Sequence, residues 1–102
     1  MRVYLSGAIT GTDDYRERFA KAQMLLQNEG HSVINPALVN SNMPSDTTYE
    51  EYMKMSFCML DMCDAIYMLN GWEESCGANR EYVYAIAKDK KVIFEREGDL
   101  HD

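Results

Sequence analysis

The sequence predicts an α/β fold, a small three-layer sandwich in which helices flank a four-stranded parallel sheet of order 2-1-3-4. Three observations carry that expectation. Four short runs rich in β-formers recur along the chain. Between them lie segments whose apolar residues return at helical spacing. One run, Ala65-Ile66-Tyr67-Met68-Leu69, is continuously apolar, as a central strand covered on both faces must be. Strands alternating with helices form right-handed crossovers, and these give a parallel sheet.

Arg2-Val3-Tyr4-Leu5-Ser6 is the first expected strand, ended by Gly7. A loop bracketed by Gly7 and Gly11 follows. Phe19, Ala22, Leu25 and Leu26 then mark a helix that Thr12 or Asp13 can cap, with Gly30 as its left-handed terminator. His31 to Asn35 is a second short strand, halted by Pro36. Residues 36–48 are polar, hold both prolines and predict a loop. Tyr49 to Cys63 reads as the second helix, leading into the apolar third strand. After the loop Asn70 to Glu74, a third helix runs from near Ser75 to Lys88. Lys91 to Glu95 supplies the last strand, and Glu97 to Asp102 is a polar tail. The expected strand order is flavodoxin-like, with ligands bound beyond the carboxyl ends of the strands near the switch in order. Two open sheet edges point to a homo-oligomer that covers apolar surface.

At 102 residues the chain is one domain, and 46% hydrophobic with 26% charged content is ordinary for a globular protein. A mass of 11.8 kDa scales to roughly 5,900 Å² exposed when folded against roughly 17,000 Å² unfolded, enough burial for one modest core. Ten Lys+Arg against 17 Asp+Glu give a net charge of −7, which repels polymer nucleic acid. No apolar run reaches the ~20 residues that span a bilayer, and the first residues lack a secretion signal. Three cysteines without a C-x-x-C pair fit a reduced, cytoplasmic setting with free thiols. No histidine lies near them to complete a metal site.

Three places carry candidate chemistry. The Gly7-x-x-x-Gly11 loop lets backbone amides approach a ligand, although it equally suits a plain tight turn. Ser75 is a suitable helix cap, and Cys76-Gly77-Ala78 leaves the first amides unobstructed, a setting that attracts anions. With Ala78, Tyr82, Ala85 and Ile86 taken as the buried stripe, Glu81 falls about 60° to one side. That geometry favours a surface glutamate at the stripe's polar edge, and the alternative is a carboxylate lining a dry cleft. In the loop Asn70-Gly71-Trp72-Glu73-Glu74, Trp72 could stack on a planar base or cover the core or a subunit contact. Tyr49, Tyr52, Met53 and Met55 read as core or interface more than as ligand contacts.

Several of these residues form familiar patterns. Tyr4-Leu5-Ser6-Gly7-Ala8-Ile9-Thr10-Gly11 resembles the opening strand and loop of the nucleoside 2-deoxyribosyltransferase superfamily, which includes the 2′-deoxynucleoside 5′-monophosphate N-glycosidases. Cys63-Asp64-Ala65-Ile66 and Ser75-x-Gly77-x-x-x-Glu81 resemble its second signature. A compact bacterial and phage branch matches most fully, through Asn35-Pro36-Ala37 and Gly71-Trp72-Glu73-x-Ser75-x-Gly77-Ala78. The likeness spans nearly the whole chain and implies one deoxyribosyltransferase-like domain over residues 1–96, with 97–102 as the tail.

The resemblance implies that Glu81 is a nucleophile attacking C1′ of a deoxyribose. It implies that Ser75 holds a 5′-phosphate, where an aspartate marks the enzymes that act on free nucleosides. It places Tyr4, Gly7, Ile9 and Gly11 around sugar and base, to which the loop and the helix start add Trp72 and Gly77 as candidate contacts. No metal or organic cofactor is implied, and the partner is a small deoxynucleoside or its 5′-monophosphate. Related proteins resemble dimers or larger assemblies. One position departs: the family aspartate eight residues before Asp64 is Ser56 here, so Glu73 or Glu74 would have to substitute as the acid. The transferases also use a longer segment after the fourth strand, which favours hydrolysis. Two rivals stand beside this reading. One is a non-catalytic nucleotide-binding or sensing module, which Ser56 favours. The other is a lysine-decarboxylase-like phosphoribohydrolase, whose run of adjacent glycines the sequence lacks.

Overall fold

The structure is a computed structural model that describes residues 1–9 and 13–95. Its elements in chain order are β1 (Arg2–Ser6), α1 (Tyr15–Asn28), β2 (Ser32–Ile34), α2 (Pro36–Asn40), α3 (Tyr49–Asp61), β3 (Ala65–Met68), a 3₁₀ turn (Trp72–Glu74), α4 (Cys76–Ala87) and β4 (Lys91–Phe94). The four strands pair in the order β2-β1-β3-β4, all parallel, as the sequence predicts. Val3 stands beside Val33 and Ala65, and Ser6 beside Met68, so β1 and β3 end level with one another.

The pleat sorts side chains into two cores because successive strand residues face opposite ways. Val3, Leu5, Ala65, Tyr67 and Leu69 pack with Phe19, Ala22 and Leu26 of α1. Tyr4, Ile66 and Met68 face the other way, onto Met59 and Leu60 of α3 and Ala78 and Ala85 of α4. α1, with Ala37 of the short α2, thus covers one face and α3 and α4 cover the other, which is the predicted three-layer sandwich.

Local signals explain most boundaries. Thr48 and Glu51 form a reciprocal capping box that starts α3 at Tyr49. Gly30 adopts φ +94° just past α1, the left-handed stop expected of it. The start of α1 differs from expectation: Asp14, not Thr12 or Asp13, is the N-cap residue, and its side chain makes no cap bond. The predicted loop 36–48 is corrected too. Its first residues form α2, with Asn35 accepting the Ala37 N–H and Pro36 in the first turn. α3 ends at Asp61, short of the Cys63 expected. The polar tail 97–102 lies outside the described residues.

Candidate active site

Tyr4 and Ser6 are two apart on β1, so both face α4. The buried residues of that helix are Ala78, Glu81 and Ala85. Glu81 therefore lies in the middle of the stripe, not at its edge, and the expected stripe member Ile86 is half exposed instead. The Tyr4 hydroxyl donates to Glu81 Oε2 at 2.7 Å, and the Ser6 hydroxyl donates to Oε1 at 2.6 Å. Ser56, buried on α3, lines the same cleft, and its hydroxyl helps to favour the charged form of that carboxylate. Small alanines on either side of Glu81 let α4 approach β1 closely enough for these short bonds.

Glu81 is only 8% exposed. Burial pushes its carboxyl above the usual carboxylate range, and the hydroxyls of Ser6, Tyr4 and Ser56 pull part of the way back. Burial, then the Glu81 charge, raises the Tyr4 hydroxyl well above its ordinary value, so Tyr4 stays protonated as a donor. The donors on both oxygens offset part of the cost of burying charge, so an ionised Glu81 here is hydrogen-bonded yet poorly solvated. A carboxylate in that state is a stronger nucleophile or base than one in water.

Glu81 opens onto a cleft of about 720 Å³ at the carboxyl ends of β1 and β2. Gly7, Ile9, Glu74, Ser75 and Gly77 line it, and so do Ser56 and Glu81. Ser75 accepts the Ala78 N–H at 3.1 Å as the cap of α4. Its own hydroxyl proton remains to be donated, beside first-turn amides of Cys76 and Gly77 that have no acceptor within the helix. Gly7 also serves packing, since a Cβ there would meet the Leu69 Cβ at 3.0 Å.

Other expected contacts fall elsewhere. Tyr4 lies fully buried beneath the cleft and reaches it only through Glu81. Trp72 does not line the cleft; its ring packs on Tyr82 at 4.8 Å and Phe94 at 6.2 Å, so it covers the core and is not placed to stack on a base there. Glu73 is absent from the lining, which leaves Glu74 as the acid at the rim. Gly11 lies outside the described residues. The cleft wall also holds Tyr49, Tyr52 and Met53, which spacing alone assigned to core or interface, together with Arg16 and Asn40. An aromatic stripe at helical spacing looks the same in sequence whether it meets a core or a ligand. Cys76 is exposed at the cleft, whereas Cys63 is buried and burial pushes its thiol up to about 11.

Among the described residues no three His, Cys, Asp or Glu side chains gather as a metal site, and no helix is long and apolar enough to cross a membrane. Comparison with curated proteins finds no match. Two solved structures are similar in fold. The CMP N-glycosidase of Clostridium botulinum superposes with a TM-score of 0.67 at 23% identity, over 92% of this chain and 70% of that one. The 2-deoxyribosyltransferase of Bacillus psychrosaccharolyticus gives 0.75 at 16% identity, over 92% and 71%. The fold is the one the sequence resemblance implies. A family model described as Domain of unknown function (DUF4406) matches residues 1–94, and the chain belongs to that family, carrying a nucleoside 2-deoxyribosyltransferase-like fold.

Proposed function

We propose that the protein cleaves the N-glycosidic bond of a 2′-deoxynucleoside or its 5′-monophosphate, with water as the final acceptor. One observation carries the reading: a buried carboxylate, gripped on both oxygens by hydroxyl donors, forms the floor of a ligand-sized cleft at the strand ends. The fold shared with an N-glycosidase and a deoxyribosyltransferase supports it.

In the first step a Glu81 oxygen bonds to C1′ as the C1′–N bond breaks with its electron pair on the base. The leaving base takes its proton from Glu74 or from water. Water then attacks C1′, its proton passes to a base or solvent, and the C1′–O bond to Glu81 breaks, restoring the carboxylate. A sugar without a 2′-hydroxyl reaches the oxocarbenium-like state more readily, so a single placed carboxylate contributes much. Ser75 and the first amides of α4 receive a 5′-phosphate when one is present.

The test incubates the protein with each common 2′-deoxynucleoside and 5′-monophosphate and follows free base by chromatography. Base release is expected, with Glu81→Ala lowering it ~10⁴-fold or more. Saturable binding without release from any of them would instead establish a nucleotide-binding module. That second reading is favoured by Ser56, a hydroxyl and not a carboxylate beside Glu81. Release from ribonucleotides alone would establish a phosphoribohydrolase.

A further inference from the structure

We infer that Asn79 is a positioning residue for the corner Glu74–Ser75, and through it a determinant of preference for phosphorylated over free nucleosides. The inference rests on the reading above, in which Ser75 and the first amides of α4 receive the phosphate.

Asn79 is exposed and two residues from Glu81, about 200° around α4, so it points away from the cleft. It is absent from the cleft lining. Its carboxamide leans back toward the start of the helix, as helical side chains do. There Nδ2 donates to the Glu73 carbonyl at 2.9 Å and the Ser75 carbonyl at 2.8 Å, with the Trp72 carbonyl at 3.5 Å. The Asn79 backbone N–H reaches the same Ser75 carbonyl at 3.0 Å. One side chain therefore ties together consecutive carbonyls of the 3₁₀ turn and the cap of α4.

The chemistry is particular to asparagine at this reach. The amide nitrogen has two protons, matching two carbonyls, whereas aspartate offers only acceptors and alanine nothing. Asparagine is a weak former inside a helix, so its presence there is not explained by helix propensity. The peptides it holds are those that carry Glu74 and Ser75 into the cleft. Loss of both donors leaves the Ser75 cap bond to Ala78 and the backbone bonds of the turn, but removes the side-chain tie on the Glu73 and Ser75 carbonyls, so the corner that carries Glu74 and Ser75 is held less tightly.

Binding of 2′-deoxynucleoside 5′-monophosphates and of the matching nucleosides is measured by calorimetry for the wild type, Asn79→Ala and Asn79→Leu. Alanine raises intrinsic helix propensity, and leucine keeps the approximate size, so a fold-level loss in one variant leaves the other informative. Each variant is expected to weaken the monophosphate about tenfold, roughly the worth of one net hydrogen bond, with nucleoside affinity unchanged. Equal weakening of both ligands, an unchanged ratio, or a wild type that binds the monophosphate no more tightly than the nucleoside overturns the inference. Base release is assayed on the same samples. Its absence from the wild type sinks the glycosidase reading alone, because the binding ratio still decides the role of Asn79.

Discussion

Glu81 joins packing and chemistry in one side chain. Because burial raises its proton affinity in the folded protein, the native state holds that proton to higher pH than the unfolded chain does. The stability this adds is complete below the ordinary carboxyl pKa and is lost as pH rises through the folded value. Glu81→Gln cannot titrate and keeps its contribution throughout. The melting temperature of Glu81→Gln is therefore expected to gain on the wild type between pH 4 and pH 8, measured by differential scanning calorimetry at matched ionic strength. A constant difference across that range would show that Glu81 is not held against its charged form. The sequence displayed this residue but misjudged its setting. Taking Tyr82 and Ile86 into the stripe moved its centre away from Glu81, whereas the structure leaves Ile86 half exposed. Hydrophobic identity alone could not reveal that β1 offers Tyr4 and Ser6 as partners for a buried acid.

Among the elements, the strands and long helices were legible because each has a period, a cap or a terminator. Gly30 and Ser75 sit where such signals belong. The short helix α2 was not legible, because its five residues hold too few positions to show a 3.6-residue repeat. The Asn35-Pro36 pair is the signal that could have found it, as a cap followed by a proline in the first turn. The β1–α1 connection was open between a loop for a ligand and a plain tight turn, and the structure adds a packing demand to it. A methyl group at Gly7 would press on Leu69, between β1 and the segment after β3. Gly7→Ala is expected to destabilise the protein by about 1–3 kcal/mol in urea denaturation. A cost below about 0.5 kcal/mol, within the ordinary range for surface changes, would show that the loop yields freely.

The whole molecule carries a net charge of −7, and a nucleoside monophosphate is also an anion. Arg16 is the one lysine or arginine among the described residues of the cleft wall, so the general field opposes entry of a phosphate. Raising ionic strength from about 10 mM to about 150 mM shortens the Debye length from about 30 Å to about 8 Å and screens that repulsion. The apparent KM for a monophosphate is expected to fall with salt, while that for the neutral nucleoside stays level. The opposite trend would mean that local attraction outweighs the global field. This balance was legible from composition, but the position of Arg16 at the cleft was not, because sequence spacing does not show that the start of α1 reaches the strand-end cleft lined from the other face of the sheet by α3 and α4.

The close seating of α4 on β1 has a consequence for how this protein tolerates change. Ala78 and Ala85, buried on either side of Glu81, are spacers as much as core residues. A larger side chain at either would lever the helix outward by about the width of a methyl group and stretch both hydroxyl contacts at once. Overpacking at these positions carries the usual cost to stability and disturbs the Glu81 contacts as well. The stripe is thus a place where one substitution bears on folding and reactivity together.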